Sequence, residues 1–195
     1  MLFGKKIKQT VDLSQLEKNI RFYIDGVRDE LERERLEKER LEKERKESET
    51  RYSLKDTTRY SLEDDPSLYE KIESEYPEWE KKTAVKESFS SSVLKYMEQK
   101  RLSPSKLYKK AELDRKLFSR LKNDYMYQPT RTTAIKFCLG LELKIDEAEK
   151  LLEKAGYSLS KSQSFDLIIR YCIENGYTDI ETVNEILRRF EEKTL

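Results

Sequence analysis

The sequence contains no histidine, and glycine, proline and cysteine are scarce, at 5, 4 and 2 of 195 residues. Without histidine there is no Ser–His or Cys–His nucleophile pair and no His-ligated metal centre. Cys138 and Cys172 are too few to build a zinc site or a disulfide framework. Both fall on apolar helix faces and read as reduced core residues. The glycines, at 4, 26, 140, 156 and 176, are too dispersed for a phosphate-cradling loop. No run approaches the roughly 18 apolar residues of a membrane span, and the opening Met1–Lys6 has no apolar stretch that could serve as a signal peptide. Carboxylates are plentiful, yet no pair carries a motif for acid–base catalysis. These absences predict a non-catalytic, cytoplasmic binding protein without metal or cofactor.

What the sequence has is charge, and the charge is segregated. Lys+Arg number 40 and Asp+Glu 39, a net +1, with 41% of residues charged. Residues 1–94 carry a net −3, residues 95–136 carry 12 basic and 4 acidic groups for +8, and residues 137–195 carry −4. Apolar residues segregate as well. They recur at helical spacing from Phe89 onward and are sparse from Glu32 to Lys82. The chain therefore divides into a long helix over 1–47, a linker over 48–87 and one helical domain over 88–195, long enough for a single core.

The first helix carries Leu13, Leu16, Ile20, Ile24, Val27 and Leu31 at an average step of 3.6 residues. Each of the first three recurs eleven residues later, the pattern of a nearly straight packed helix rather than a heptad supercoil. Asp12 or Ser14 can cap its start. Such a stripe must be buried, either on its own chain or against a second copy, so these six residues are also candidates for oligomerisation. Beyond Leu31 the leucines at 36 and 41 recur every five residues and fall on different faces, while Glu and Lys/Arg stand at i,i+3 and i,i+4. Each such pair adds about 0.2–0.5 kcal/mol to an isolated helix. Residues 12–47 predict a rod about 54 Å long that acts as a spacer.

The linker holds a short repeat, Arg51-Tyr52-Ser53-Leu54 and Arg59-Tyr60-Ser61-Leu62, in a context that reads as unstructured. A short acidic helix over 66–80 follows, with Asp65 as cap and Pro66 at its first position. Leu68, Ile72, Tyr76 and Trp79 share one face, a candidate for docking a protein partner. Residues 63–80 carry a net −7.

The last domain predicts an all-α fold of about seven helices. They run Phe89–Lys100, Ser103–Ala111, Asp114–Lys122, about Thr130–Leu141, Asp146–Lys154, about Ser164–Glu174 and about Ile180–Glu192. Ser103 and Asp114 serve as caps, and Gly156 and Gly176 end the fifth and sixth helices. No segment alternates like a strand.

The run Leu107-Tyr108-Lys109-Lys110-Ala111-Glu112-Leu113-Asp114-Arg115-Lys116-Leu117-Phe118-Ser119-Arg120-Leu121, continued by Pro129-Thr130, Ala134–Leu141 and Glu147–Leu152, resembles the helix-turn-helix of the lambda-repressor and Cro class over about 89–157. The longer stretch to the C-terminus also resembles an accessory domain at the C-terminus of some bacterial multidomain proteins. The first resemblance implies that the helix after the turn enters the major groove of double-stranded DNA. By position, Arg115, Lys116, Ser119 and Arg120 would then face bases or phosphates, with Lys106, Lys109, Lys110 and Lys122 around them. Tyr108, Glu112 and Pro104 stand where the family usually has a small residue, a glycine and a polar phosphate contact, and the loop 123–128 is longer and more aromatic. The corresponding expectation is a DNA-binding regulator or accessory factor. The alternative is a protein–protein adaptor on a helix-turn-helix framework.

Overall fold

The computed structural model describes residues 12–49, 70, 71, 73–77 and 87–195, and all regular structure among them is helical. The elements are α1 (Leu13–Glu49), α2 (Phe89–Gln99), α3 (Pro104–Lys110), α4 (Arg115–Asn123), α5 (Arg131–Gly140), α6 (Ile145–Lys154), α7 (Ser164–Glu174) and α8 (Ile180–Arg189).

Local chemistry sets most of these boundaries. Ser88, Ser103, Asp114, Thr130 and Asp179 each accept a first-turn backbone N–H through a side-chain oxygen. Asp12 does the same for α1, accepting from Ser14 and Gln15. Such caps satisfy donors that have no partner inside the helix. The C-termini share one device. After α2, α3, α5, α6, α7 and α8 a residue turns left-handed, and the next N–H donates five residues back, as from Leu113 to the Tyr108 carbonyl at 2.9 Å. Gly156 and Gly176 fill two of these positions, as expected. Arg101, Glu112, Glu142 and Glu191 fill the other four at φ 48–58°, a conformation that costs a residue with a Cβ roughly 1–2 kcal/mol.

Contacts divide the chain into Met1–Glu30 with Glu87–Leu195, and Leu31–Lys86. In the first unit one core runs through Phe89, Leu107, Leu121, Phe137, Leu151, Ile168 and Leu187, with Phe89 and Phe137 edge to face at 5.6 Å. Leu16, Ile20 and Ile24 of α1 are buried in that same core, worth roughly 1.5–3 kcal/mol each. Tyr23 meets Tyr171 edge to face at 5.3 Å. Arg21 lies 4.7 Å over the Phe190 ring, and Arg189 pairs with Glu17 at 3.4 Å. The stripe proposed for oligomerisation is thus corrected: Leu16, Ile20 and Ile24, with half-buried Leu13 and Val27, are covered by α7 and α8 of the same chain. Leu31 is half-buried in the other unit. The boundary between these two units falls inside α1, where the apolar period stops.

Two ionic contacts tie α7 to α5 and α6. Asp166, 1% exposed on α7, pairs with Arg131 at the start of α5 and accepts the Ser160 N–H at 2.8 Å. Arg170 on α7 pairs with Glu149 on α6. Another contact holds the N-terminal end of α2. Glu87 accepts from Lys154 on α6 at 2.7 Å and from Lys95 at 2.8 Å. Helix α5 passes α3 so closely that a Cβ on Gly140 would sit 2.7 Å from the Ala111 Cβ.

In the second unit the rest of α1 exposes Leu36 and Leu41 and carries ion pairs along its length. Arg35–Glu32 and Arg40–Glu37 form as the spacing predicts, at 2.8 and 2.7 Å. At i,i+4 the arginines also reach Glu39 and Glu44. Residues 70, 71 and 73–77 are helical and Tyr76 is exposed. Leu68, Ile72, Trp79 and the Arg-Tyr-Ser-Leu repeat lie outside the described residues. Among the described residues no helix is long and apolar enough to cross a membrane.

Gly140→Ala should destabilise the protein by about 1–3 kcal/mol through overpacking against Ala111, read as a lower denaturation midpoint without a change in m-value. The Glu87 contact gives a pH signature. Lys154 and Lys95 hold its carboxyl at about 2, below the ordinary 4.5. Its contribution is therefore present above pH 4.5 and is lost as the pH falls toward 2. Thermal melts of Glu87→Gln should lie below wild type at pH 7, and the gap should close at the acid end of that window.

Candidate nucleic-acid interface

Helix α4 has only nine residues, too few to be stable alone, so its position is set by what surrounds it. Asp114 caps it, accepting the Lys116 N–H at 2.7 Å. Phe118 and Leu121 are buried and Leu117 is half-buried on its inner side. At its far end the Asp124 carbonyl accepts from the Ser90 hydroxyl of α2 at 3.0 Å. These anchors leave Arg115, Lys116, Ser119, Arg120 and Lys122 exposed on one outward surface.

The preceding helix adds to it. Lys106 and Lys109 of α3 are exposed, and neither ion-pairs with a described residue; the same holds for Arg115, Lys116 and Lys122. Residues 104–123 carry seven basic groups against Glu112 and Asp114, a net +5. That is a local field suited to a polyanion. Lys110 is placed differently from its neighbours: its ammonium donates to Glu142 at 2.6 Å, beside the end of α5. Tyr108 is half-buried, and the close helix approach falls one turn later, at Ala111.

The loop after α4 supplies residues that family position did not select. Tyr127 is buried, and the Arg120 guanidinium lies 5.6 Å over its ring, which fixes where that cation stands. Burial raises the Tyr127 hydroxyl's pKa, so it stays neutral. Tyr125 and Met126 are 56% and 72% exposed beside the end of α4. The unusual aromatic content of 123–128 was the signal for them. Behind the loop the Tyr157 hydroxyl donates to the Pro129 carbonyl at 3.1 Å.

Cys138 and Cys172 are buried free thiols, and burial pushes both up, Cys172 to about 12, so they remain protonated and unreactive. Among the described residues no group of His, Cys, Asp or Glu is placed to hold a metal ion.

Residues 93–153, from α2 to the end of α6, match the family model of the Cro/C1-type HTH DNA-binding domain. That stretch, which includes α3 and α4, is similar to the helix-turn-helix class that the sequence resembles. No curated protein and no solved structure matches the chain.

The turn between α3 and α4 yields a test. Glu112 stands at φ 48°, where glycine carries no Cβ penalty. Glu112→Gly should raise stability by about 0.5–1 kcal/mol, the relieved strain less the entropy that glycine adds to the unfolded chain. Chemical denaturation measures it, and an unchanged or lower midpoint would show the turn to be unstrained.

Proposed function

We propose that the protein binds double-stranded DNA by seating α4 in the major groove, as a non-catalytic regulator or accessory factor. The observation that carries this is the outward row of Arg115, Lys116, Ser119 and Arg120 on a helix whose opposite side is locked by Phe118 and Leu121. Arginine and lysine read guanine edges, and both contact phosphates. Lys106, Lys109 and Lys122 flank the row and supply backbone contacts that are insensitive to sequence. Lys110 contributes less, because engaging a phosphate means leaving Glu142. The Asp114 carboxylate accepts the Lys116 N–H and sets a negative charge at the N-terminus of α4, so phosphate is bound by side chains rather than by the helix end.

A second reading rests on a separate observation. Tyr125 and Met126 are exposed in the loop after α4, and aromatic and Met groups are enriched at protein interfaces. On this reading the same face is an adaptor surface for a protein.

A mobility-shift titration on duplex DNA at several salt concentrations separates the two. DNA binding predicts a shift whose affinity falls steeply with salt. Lys116→Ala should lower affinity at low salt and reduce the salt slope by about 1 for the lost phosphate contact. Arg120→Ala should cost about 1–3 kcal/mol if it reads a base. Lys161→Ala, on an exposed residue outside α3 and α4, should bind as wild type. No shift at low salt, or a shift indifferent to Lys116 and Arg120, would refute DNA binding through α4.

A further inference from the structure

With one face of α1 buried in its own chain, an exposed ridge along the same turns is left to explain. It carries Lys18, Phe22, Gly26 and Glu30, each four residues from the next and all exposed. Phe22 is 83% exposed, the most exposed of the large apolar side chains among the described residues. Beside it Gly26 opens a groove of about 460 Å³, floored by Tyr23, Val27 and Tyr171. A Cβ on Gly26 would meet nothing within 4 Å, so no packing inside the chain requires glycine there. Yet glycine inside a helix costs about 1 kcal/mol relative to alanine. A protruding ring and an adjoining hollow thus sit one helical turn apart on one ridge.

We propose that this ridge is the surface through which two copies of the chain associate, with their α1 helices antiparallel about a two-fold axis at the level of Ile24. That operation brings residue n beside the partner copy's residue 48 − n. Phe22 then enters the hollow at the partner's Gly26, and the partner's Phe22 enters the first copy's hollow. The same operation sets Lys18 beside the partner's Glu30 and Glu30 beside the partner's Lys18. Neither Lys18 nor Glu30 has an ion-pair partner among the described residues. One symmetry axis thus matches shape at the centre and charge at both ends, as a self-complementary dimer interface requires. The four residues follow an i, i+4 ridge, the row that interdigitates in the commonest helix–helix packing, and glycine permits the close approach. This association is independent of what α4 binds.

Sedimentation equilibrium of the full chain, across a concentration series into the high micromolar range, tests it. The wild type should be a reversible dimer. Phe22→Ala removes two ring insertions per dimer and should weaken association at least about 30-fold. Its thermal midpoint in the dilute, monomeric range should be unchanged, since the ring is exposed there. Gly26→Leu should fill the hollow and dissociate the dimer without unfolding the monomer. Lys18→Glu and Glu30→Lys should each weaken association, and the two together should restore it, because the exchanged charges again face each other. The proposal is overturned by a chain that stays monomeric throughout, which would leave the groove to some other occupant. It is equally overturned by a dimer indifferent to Phe22→Ala and Gly26→Leu, or by a double charge swap that associates no better than the single variants.

Discussion

The distance between α3 and α5 governs the presentation of the cationic helix. Gly140 and Ala111 meet where a single additional carbon would sit 2.7 Å from its neighbour, and that approach lets Leu107, Leu121 and Leu139 close over one core. Helix α4 adds Phe118 and Leu121 to that core. It is short, and Arg115, Lys116, Arg120 and Lys122 repel one another along it. Two buried side chains and the Asp114 cap offset that repulsion. Charge is tolerated on the outside of α4 because apolar burial on the inside is strong enough to hold it there.

The helix ends show how the protein makes tight corners with few glycines. Four of the six left-handed caps are charged residues. The next residue after three of them is Leu102, Leu113 or Leu143, at least half-buried in each case. An apolar group at that position packs back on the last turn, and its burial offsets the steric cost of the residue before it. The charged side chains at the caps, having no place in the core, stay in solvent. At the junction of α5 with α7 the chain uses a polar solution instead. Asp166 is buried, but Arg131 and the Ser160 N–H satisfy its oxygens, so the C-terminal helices are fixed to the helix-turn-helix in a defined orientation rather than merely packed against it.

Helix α1 changes character along its length, and the sequence changes with it. Through Val27 it has an apolar face with a partner in its own chain and an outer ridge with shape and charge of its own. Past Leu31 the apolar residues no longer share a side, and arginine–glutamate pairs take over the surface. Each of those exposed pairs contributes only tenths of a kcal/mol. They add up because the helix is long.

The helices, caps and class of the domain were legible from the residues. Ser103-Pro104, Asp114, Thr130, Gly156 and Gly176 mark boundaries by local chemistry that does not depend on the rest of the chain, and the run 107–121 carries the helix-turn-helix pattern by itself. The outward placement of Arg115, Lys116 and Arg120 was legible for the same reason, because Leu117, Phe118 and Leu121 fix the inner side at helical spacing. Three things were decided only in three dimensions. A periodic stripe states that a face must be buried but not against what, and Leu16, Ile20 and Ile24 found α7 and α8 more than a hundred residues away. A lysine's spacing does not reveal whether a carboxylate from another helix lies beside it, as Glu142 does for Lys110. The contact that makes Gly140 necessary depends on how two helices cross, a property of the assembled core rather than of any segment within it.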